Sequence, residues 1–218
     1  MARLVDLSHV VSDGLVTHPG LPAPAIGTHL SRPASASHYA PGTTFHIGRI
    51  EMVSNTGTYL DAPFHRFDGA SDLADLPLER LADLPGLAID VAAGVRRIDV
   101  ERLPPRDLGG HAVLFRTGWS RHFATPRYAD GHPFLAGALA EALVARGAAL
   151  VGIDSLNIDD TADGTRPVHT ALLRAGIPIV EHLTGLAALP REGFRFFAVP
   201  VKVRGMGTFP VRAFAVTP

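Results

Sequence analysis

The stretch from Pro133 to Asp154 constrains the fold of this chain more than any other. Leu135, Leu139, Ala142 and Leu143 recur at helical spacing, which predicts a helix over Pro133–Arg146 with Gly147 as its left-handed stop. Ala148–Ile153 follows at once as an unbroken apolar run, the pattern of a strand buried on both faces. Ala112–Thr117 is an earlier run of the same kind. Strand, helix and strand in that order imply a parallel βαβ unit with a right-handed crossover. In sheets built this way, ligands collect where the strands end.

The remaining elements are shorter. Leu4–Val10 reads as a strand ending in Ser8-His9, and Leu87–Val91 as another short strand. Residues 12–41 are rich in Pro, Gly, Ala, Ser and His without any period, so a long loop or arm is expected there. Thr43–Ser54 alternates as a strand does, with Phe45, Ile47 and Val53 on one parity and His46, Ile50 and Met52 on the other. A short helix is expected over Pro77–Leu84, with Pro77 in its first turn. Pro167–Ala175, closed by Gly176, predicts a second clear helix. Ile177–Val180, Phe194–Val203 and Thr208–Val216 complete the strands, the last two joined through Gly205-Met206-Gly207. No repeat or linker divides the chain. The expectation is one α/β domain over residues 1–218, a mixed sheet with flanking helices.

Composition removes several chemistries. The chain has no cysteine, which excludes disulfides, thiolate zinc sites and cysteine nucleophiles. Lys202 is the single lysine, so Schiff-base catalysis has one residue to draw on. The formal net charge is −1 and Arg96-Arg97 is the one adjacent basic pair, a balance that favours neither nucleic acid nor an anionic membrane as partner. No apolar run approaches the roughly 20 residues of a membrane span, and Met1–Asp6 lacks a basic segment leading into an apolar one, so the cytoplasm is the expected location. Eleven histidines stand out, because imidazole is both the commonest metal ligand and a general base.

Chemistry-bearing residues gather in four places. In Ser54–His65, Pro63 pushes Ala62 into an extended conformation, so Asp61 and His65 are not expected as neighbours on a helix. The plainer reading of that segment is a turn in which Asp61 caps backbone amides. His169 falls in the first turn of its helix, and Glu181-His182 lie at the exit of an apolar strand. Neighbouring strand residues face opposite ways, so Glu181 and His182 share a site only if the strand has already ended. Asp154–Asp160 reads as well as a solvated acidic loop as it does as a source of ligands. Arg49 and Arg204 are candidate anchors for a substrate carboxylate, or else plain surface residues.

In register, Asn55-Thr56-Gly57-Thr58-Tyr59-Leu60-Asp61-Ala62-Pro63-Phe64-His65 resembles the H-x-G-T-H-x-D-x-P-x-H signature of the cyclase and kynurenine-formamidase family. Asp6-Leu7-Ser8-His9, Arg116-Thr117-Gly118-Trp119, Gly152-Ile153-Asp154-Ser155, Glu181-His182-Leu183-Thr184 and Pro200-Val201-Lys202-Val203 resemble further landmarks of that family in the right order. The resemblance implies a swivelling β/β/α fold. It also implies hydrolysis of a small amide, formamide or lactone, and assembly as a homodimer or homotetramer. Of the ligands it implies, Asp61, His65, His169 and Glu181 are present. Two signature histidines are replaced by Asn55 and Tyr59. Phenol and amide are poor zinc donors, so one divalent ion, zinc or manganese, is expected in place of two, and a metal-free site is the alternative. In the hydrolase reading, Tyr59 and Asn55 donate hydrogen bonds to the oxyanion, and Glu181 or His182 moves the proton. Asp61, His65, Tyr59, Glu181 and His182 are then the catalytic candidates. Asn55, Thr58, Phe64, His46 and Tyr39 are the candidate contacts to a small-molecule substrate. A metal-free cyclase, dehydratase or lyase using His65 or His169 as base is the second reading. A ligand-binding protein without activity is the third.

Overall fold

The computed structural model describes residues 2–218. One nine-stranded sheet organises the chain. From edge to edge its strands are Arg3–Asp6, Phe214–Thr217, Phe194–Phe197, Leu84–Asp90, Ala112–Arg116, Leu150–Ile153, Ile179–Glu181, Tyr59–Asp61 and Thr208–Pro210. The strands from Leu84–Asp90 to Ile179–Glu181 run parallel, and the strands on either side of them pair antiparallel. Two helices, Gly137–Ala145 and Pro167–Arg174, make the crossovers between parallel strands and pack on each other.

Strand alternation sorts the core into two layers. Val113, Phe115, Val151, Ile153 and Ile179 face the helices, where Leu139, Leu143 and Leu172 meet them. Leu114, Leu150, Val180 and Leu60 point to the other side, against Phe194, Phe196 and Leu183. Gly152 lies between these layers for want of space: a Cβ there would come within 2.7 Å of the Leu183 side chain and 2.8 Å of Leu114.

Four local expectations change. Residues 12–41 are not an unbroken loop, because Ala25–Leu30 pairs antiparallel with Ile47–Glu51 in a separate two-stranded ribbon and Arg32–Ser35 forms one helical turn. Both ribbon faces are open to solvent, so Ala25–Leu30 carries no buried stripe to reveal it in sequence, whereas Ile47–Glu51 falls within the alternating Thr43–Ser54 segment. Pro77–Leu84 contains one 3-10 turn, Leu78–Arg80, since Asp83 adopts a positive φ of 54° and Leu84 already belongs to the sheet. The helix expected from Pro133 begins at Gly137, because Phe134–Leu135 pairs in parallel with Arg97–Ile98. Thr208–Val216 divides into two strands that lie in different parts of the sheet. No helix among the described residues is long and apolar enough to cross a membrane.

Candidate active site

The site is set by sheet register. Tyr59–Asp61 lies between two antiparallel neighbours, so Asp61 stands opposite Ile179 and Thr208 while Tyr59 stands opposite Glu181. The Thr208 hydroxyl donates to Asp61 Oδ1 at 2.6 Å. Its one proton being spent there, its contact of 2.9 Å with His65 Nδ1 requires the imidazole N–H to donate. His65 follows Asp61 through the short 3-10 turn Pro63–His65, consistent with the break imposed by proline. His169 comes from the opposite side, on the first turn of the Pro167–Arg174 helix.

Asp159 fixes His169. Its carboxylate accepts the backbone N–H groups of Val168 and His169 at 2.7 and 3.0 Å, and the His169 Nδ1–H at 2.7 Å. Both imidazoles therefore hold a proton on Nδ1 and turn Nε2 toward Asp61. These atoms lie 3.9 and 3.7 Å from the two oxygens of Asp61. Asp61 Oδ2 is fully buried and has no hydrogen-bond partner. Each of Asp61, His65 and His169 offers an atom within 4.8 Å of the other two. A buried carboxylate oxygen without a hydrogen bond is costly unless a cation sits beside it, and both imidazoles turn Nε2 toward this carboxylate. Two imidazole nitrogens and one carboxylate suit zinc or manganese, and three ligands leave a coordination position open.

Glu181 stands beside this group and not within it. Its Oε1 is 3.7 Å from His169 Nε2 but accepts the Ile158 backbone N–H at 2.6 Å, and its Oε2 accepts the Tyr59 hydroxyl at 2.7 Å. Burial, reinforced by the Asp61 charge and opposed by His169, raises its pKa to about 7. For His169 burial works against the charge, yet the hydrogen bond to Asp159 and the nearby Asp61 and Glu181 carboxylates overcome it and raise the pKa to about 10. Burial and then the Glu181 and Asp61 carboxylates push the Tyr59 phenol well above its ordinary value, so it remains a donor. The strand has indeed ended at Glu181. His182 takes a positive φ of 56°, and its Nε2 reaches the Tyr59 hydroxyl at 3.3 Å from the same side as Glu181.

A cavity of about 350 Å³ opens onto these groups. Asn55, Tyr59, His65, His169 and Glu181 line it, and so do His18, Leu21, Arg66, Asn157 and Arg166, which carry no motif in the sequence. Thr58, Phe64, His46 and Tyr39 lie outside that lining. Thr58 is buried and donates to the His182 carbonyl at 2.6 Å. Phe64 is half-buried next to His65, His46 bonds Thr28 on the ribbon, and Tyr39 packs edge-on against Phe45. Arg49 and Arg204 are occupied by Glu51 and Asp75 at 3.1 and 2.7 Å. Asp154–Asp159 is buried, not a solvated loop: Asp154 accepts the Thr117 and Gly118 backbone N–H groups, both at 2.8 Å. Asp159 had one legible signal, a carboxylate shortly before a helix that bears a candidate ligand. Replacing it with asparagine is expected to weaken zinc binding by about 10–100-fold while the fold survives, as read by competition with a chromogenic chelator.

The family described as "Putative cyclase" matches residues 5–160. A kynurenine formamidase from Bacillus cytotoxicus is 29% identical over 210 residues, spanning 96% of this chain and 95% of the relative. A structure described as a predicted metal-dependent hydrolase from Bacillus stearothermophilus shares 26% identity, with a TM-score of 0.79 and complete coverage of both chains. An isatin hydrolase bound to the product analogue thioisatinate has the same fold, with a TM-score of 0.83 at 19% identity over 100% of this chain and 93% of its own.

Proposed function

The chain belongs to the family described as "Putative cyclase", and from that premise we infer that it is a metal-dependent hydrolase of a small amide, formamide or lactone. Asp61, His65 and His169 hold one zinc or manganese ion, and Glu181 beside them takes the proton. The observation that carries this reading is the unpaired, buried Asp61 Oδ2, 3.7 Å from His169 Nε2, with His65 Nε2 3.9 Å from the other carboxylate oxygen. When bound, such an ion acidifies water and polarises a carbonyl.

The chain's own groups do the rest. Glu181, with its pKa raised to about 7, is poised to accept a proton near neutrality and return it to the leaving nitrogen or oxygen. The Ile158 N–H and the Tyr59 hydroxyl keep its carboxylate from swinging. Tyr59 has spent its proton on Glu181, so the side-chain amides of Asn55 and Asn157 in the cavity wall are the groups left to stabilise the oxyanion. The cavity, at about 350 Å³, matches a small substrate. Kynurenine formamidase among the relatives makes N-formylkynurenine a first probe, and isatin a second. The test is metal stoichiometry before and after chelation, with hydrolysis of both probes. About one ion per chain together with turnover is the expected result, and no ion after supplementation rejects the reading. The metal-free alternative asks His65 or His169 to be a base. Against burial, the Asp159 and Asp61 carboxylates hold the His169 pKa at about 10, which leaves His65 as the base of that reading.

That same pKa sets a pH dependence. Below about 10 the His169 ring carries a proton that an incoming cation must displace. Apparent affinity is therefore expected to rise with pH, by about tenfold per unit between pH 6 and 9 for one displaced proton. Calorimetry in buffers of different ionisation enthalpy counts that proton. An affinity independent of pH would remove His169 from the ligands.

The ribbon bears on assembly. A two-stranded ribbon is marginal by itself in water, and this one exposes Ile26, Ile47 and Ile50 beside Phe45. A second copy of the chain covering these side chains gives a homodimer. Sedimentation at micromolar concentration is expected to show a dimer, and Ile47→Lys with Ile50→Lys to show a monomer; a monomeric wild type ends this proposal. A cytoplasmic location belongs to the same reading, and fractionation of the producing cell tests it.

A further inference from the structure

Behind the Tyr59–Glu181 hydrogen bond runs a buried series of further bonds that the hydrolysis above does not use. The Tyr128 hydroxyl lies 2.9 Å from His182 Nδ1, His182 Nε2 lies 3.3 Å from the Tyr59 hydroxyl, and Tyr59 donates to Glu181 Oε2 at 2.7 Å. Tyr128, His182, Tyr59 and Glu181 are 3, 0, 2 and 1% exposed, so water does not complete their bonding.

Counting protons gives the series a direction. The Tyr59 hydroxyl donates to Glu181 Oε2, so its single proton is spent there. The Tyr59 oxygen must then accept, which places a proton on His182 Nε2. Burial pushes the His182 pKa well below its ordinary value, so the ring is neutral and its Nδ1 is bare. Nδ1 accepts from Tyr128. Each residue thus donates in the same sense, an arrangement in which the bonds reinforce one another.

The backbone is bent to make this possible. An extended residue after Glu181 would carry its side chain to the opposite face. His182 instead adopts φ 56°, in the left-handed region that residues other than glycine avoid. Thr58 holds it there through the His182 carbonyl at 2.6 Å and is itself held by the His9 N–H at 3.0 Å. Tyr128 is anchored in turn, its carbonyl accepting the Trp119 indole N–H at 2.9 Å.

We propose that Tyr128 and His182 are positioning residues, whose one-way chain of hydrogen bonds seats the Tyr59 hydroxyl on the Glu181 carboxylate. The proposal rests on the reading of Glu181 as proton acceptor, and neither residue lines the substrate cavity.

NMR of the full chain labelled with 15N-histidine tests the chain without substrate or metal, and His182→Asn identifies the His182 signals by deleting them. A neutral His182 protonated on Nε2, with its Nδ1 signal shifted in Tyr128→Phe, is expected. A ring protonated on Nδ1, or an Nδ1 signal indifferent to Tyr128→Phe, overturns the proposal. Kinetics on N-formylkynurenine and isatin give the second arm. Tyr128→Phe is expected to lower kcat about tenfold with KM unchanged, and to lower it no further in a Tyr59→Phe background. Additive losses would mean that Tyr128 does not act through Tyr59. If the wild type hydrolyses neither probe, the hydrolase reading is what fails, and the NMR result still decides the chain.

Discussion

Asp61→Asn is expected to eliminate the bound ion and to lower hydrolysis on the order of a thousandfold or more. The substitution keeps the shape of the side chain and leaves an oxygen for the Thr208 hydroxyl, now 2.6 Å from Oδ1. It removes the charge that lies 3.9 and 3.7 Å from the two imidazole nitrogens. Two neutral imidazoles with no anion between them make a weak divalent site. The fold is expected to persist, since asparagine keeps the side chain's shape and an acceptor for the Thr208 hydroxyl. The discriminating measurement is the melting temperature with and without chelator. A ligand that binds only the folded state raises stability in proportion to its occupancy. Chelation should therefore lower the wild-type melting temperature and leave the variant's unmoved. A variant that still binds one ion per chain would remove Asp61 from the site.

Gly207→Ala is expected to cost about 3 kcal/mol and to disassemble the site with it. A Cβ at this position would lie 2.4 Å from the His65 backbone nitrogen and 2.5 Å from its Cα, atoms that no side-chain rotation can move aside. The Gly207 carbonyl also accepts the Ala62 N–H at 2.7 Å, so the segment cannot retreat without losing that bond. Thr208, which ties Asp61 to His65, is the next residue. Gly205→Ala is the internal control. Its φ of 76° makes alanine strained, but nothing lies within 4 Å of the added carbon, so about 1 kcal/mol is lost and metal binding is retained. Equal melting temperatures for the two variants would show that the close approach to His65 is not what glycine provides.

Particular residues show how far the sequence could be read. Asn55, Tyr59, His65, His169 and Glu181 line one cavity, and Asp61 joins His65 and His169 beside it. Asn55, Tyr59, Asp61 and His65 were legible from the signature, His169 and Glu181 from the resemblance of later segments. Glu181 was legible as a member of the site but not in its placement. Whether a carboxylate joins the Asp61, His65 and His169 group or stands next to it depends on which donors claim its oxygens, and these are the Ile158 N–H and a phenol from another strand. His182 was assigned to catalysis, yet a left-handed φ is needed for it to share a side with Glu181, and residue type does not announce a left-handed histidine.

By itself, the sequence determined the parallel centre of the sheet, because strands buried on both faces must be written as continuous apolar runs such as Leu150–Ile153. It also determined the donor types of the site, because ligand chemistry belongs to side chains whatever their surroundings. Only the tertiary structure decided the partner of the Ala25–Leu30 strand, the clamp of Asp159 on His169, the turn that brings His182 to Tyr59, and the space that makes Gly207 necessary. Each of these depends on contacts between residues distant in the chain. Periodicity records only which face of an element is buried; it carries no information about what that face, or an exposed edge, will meet.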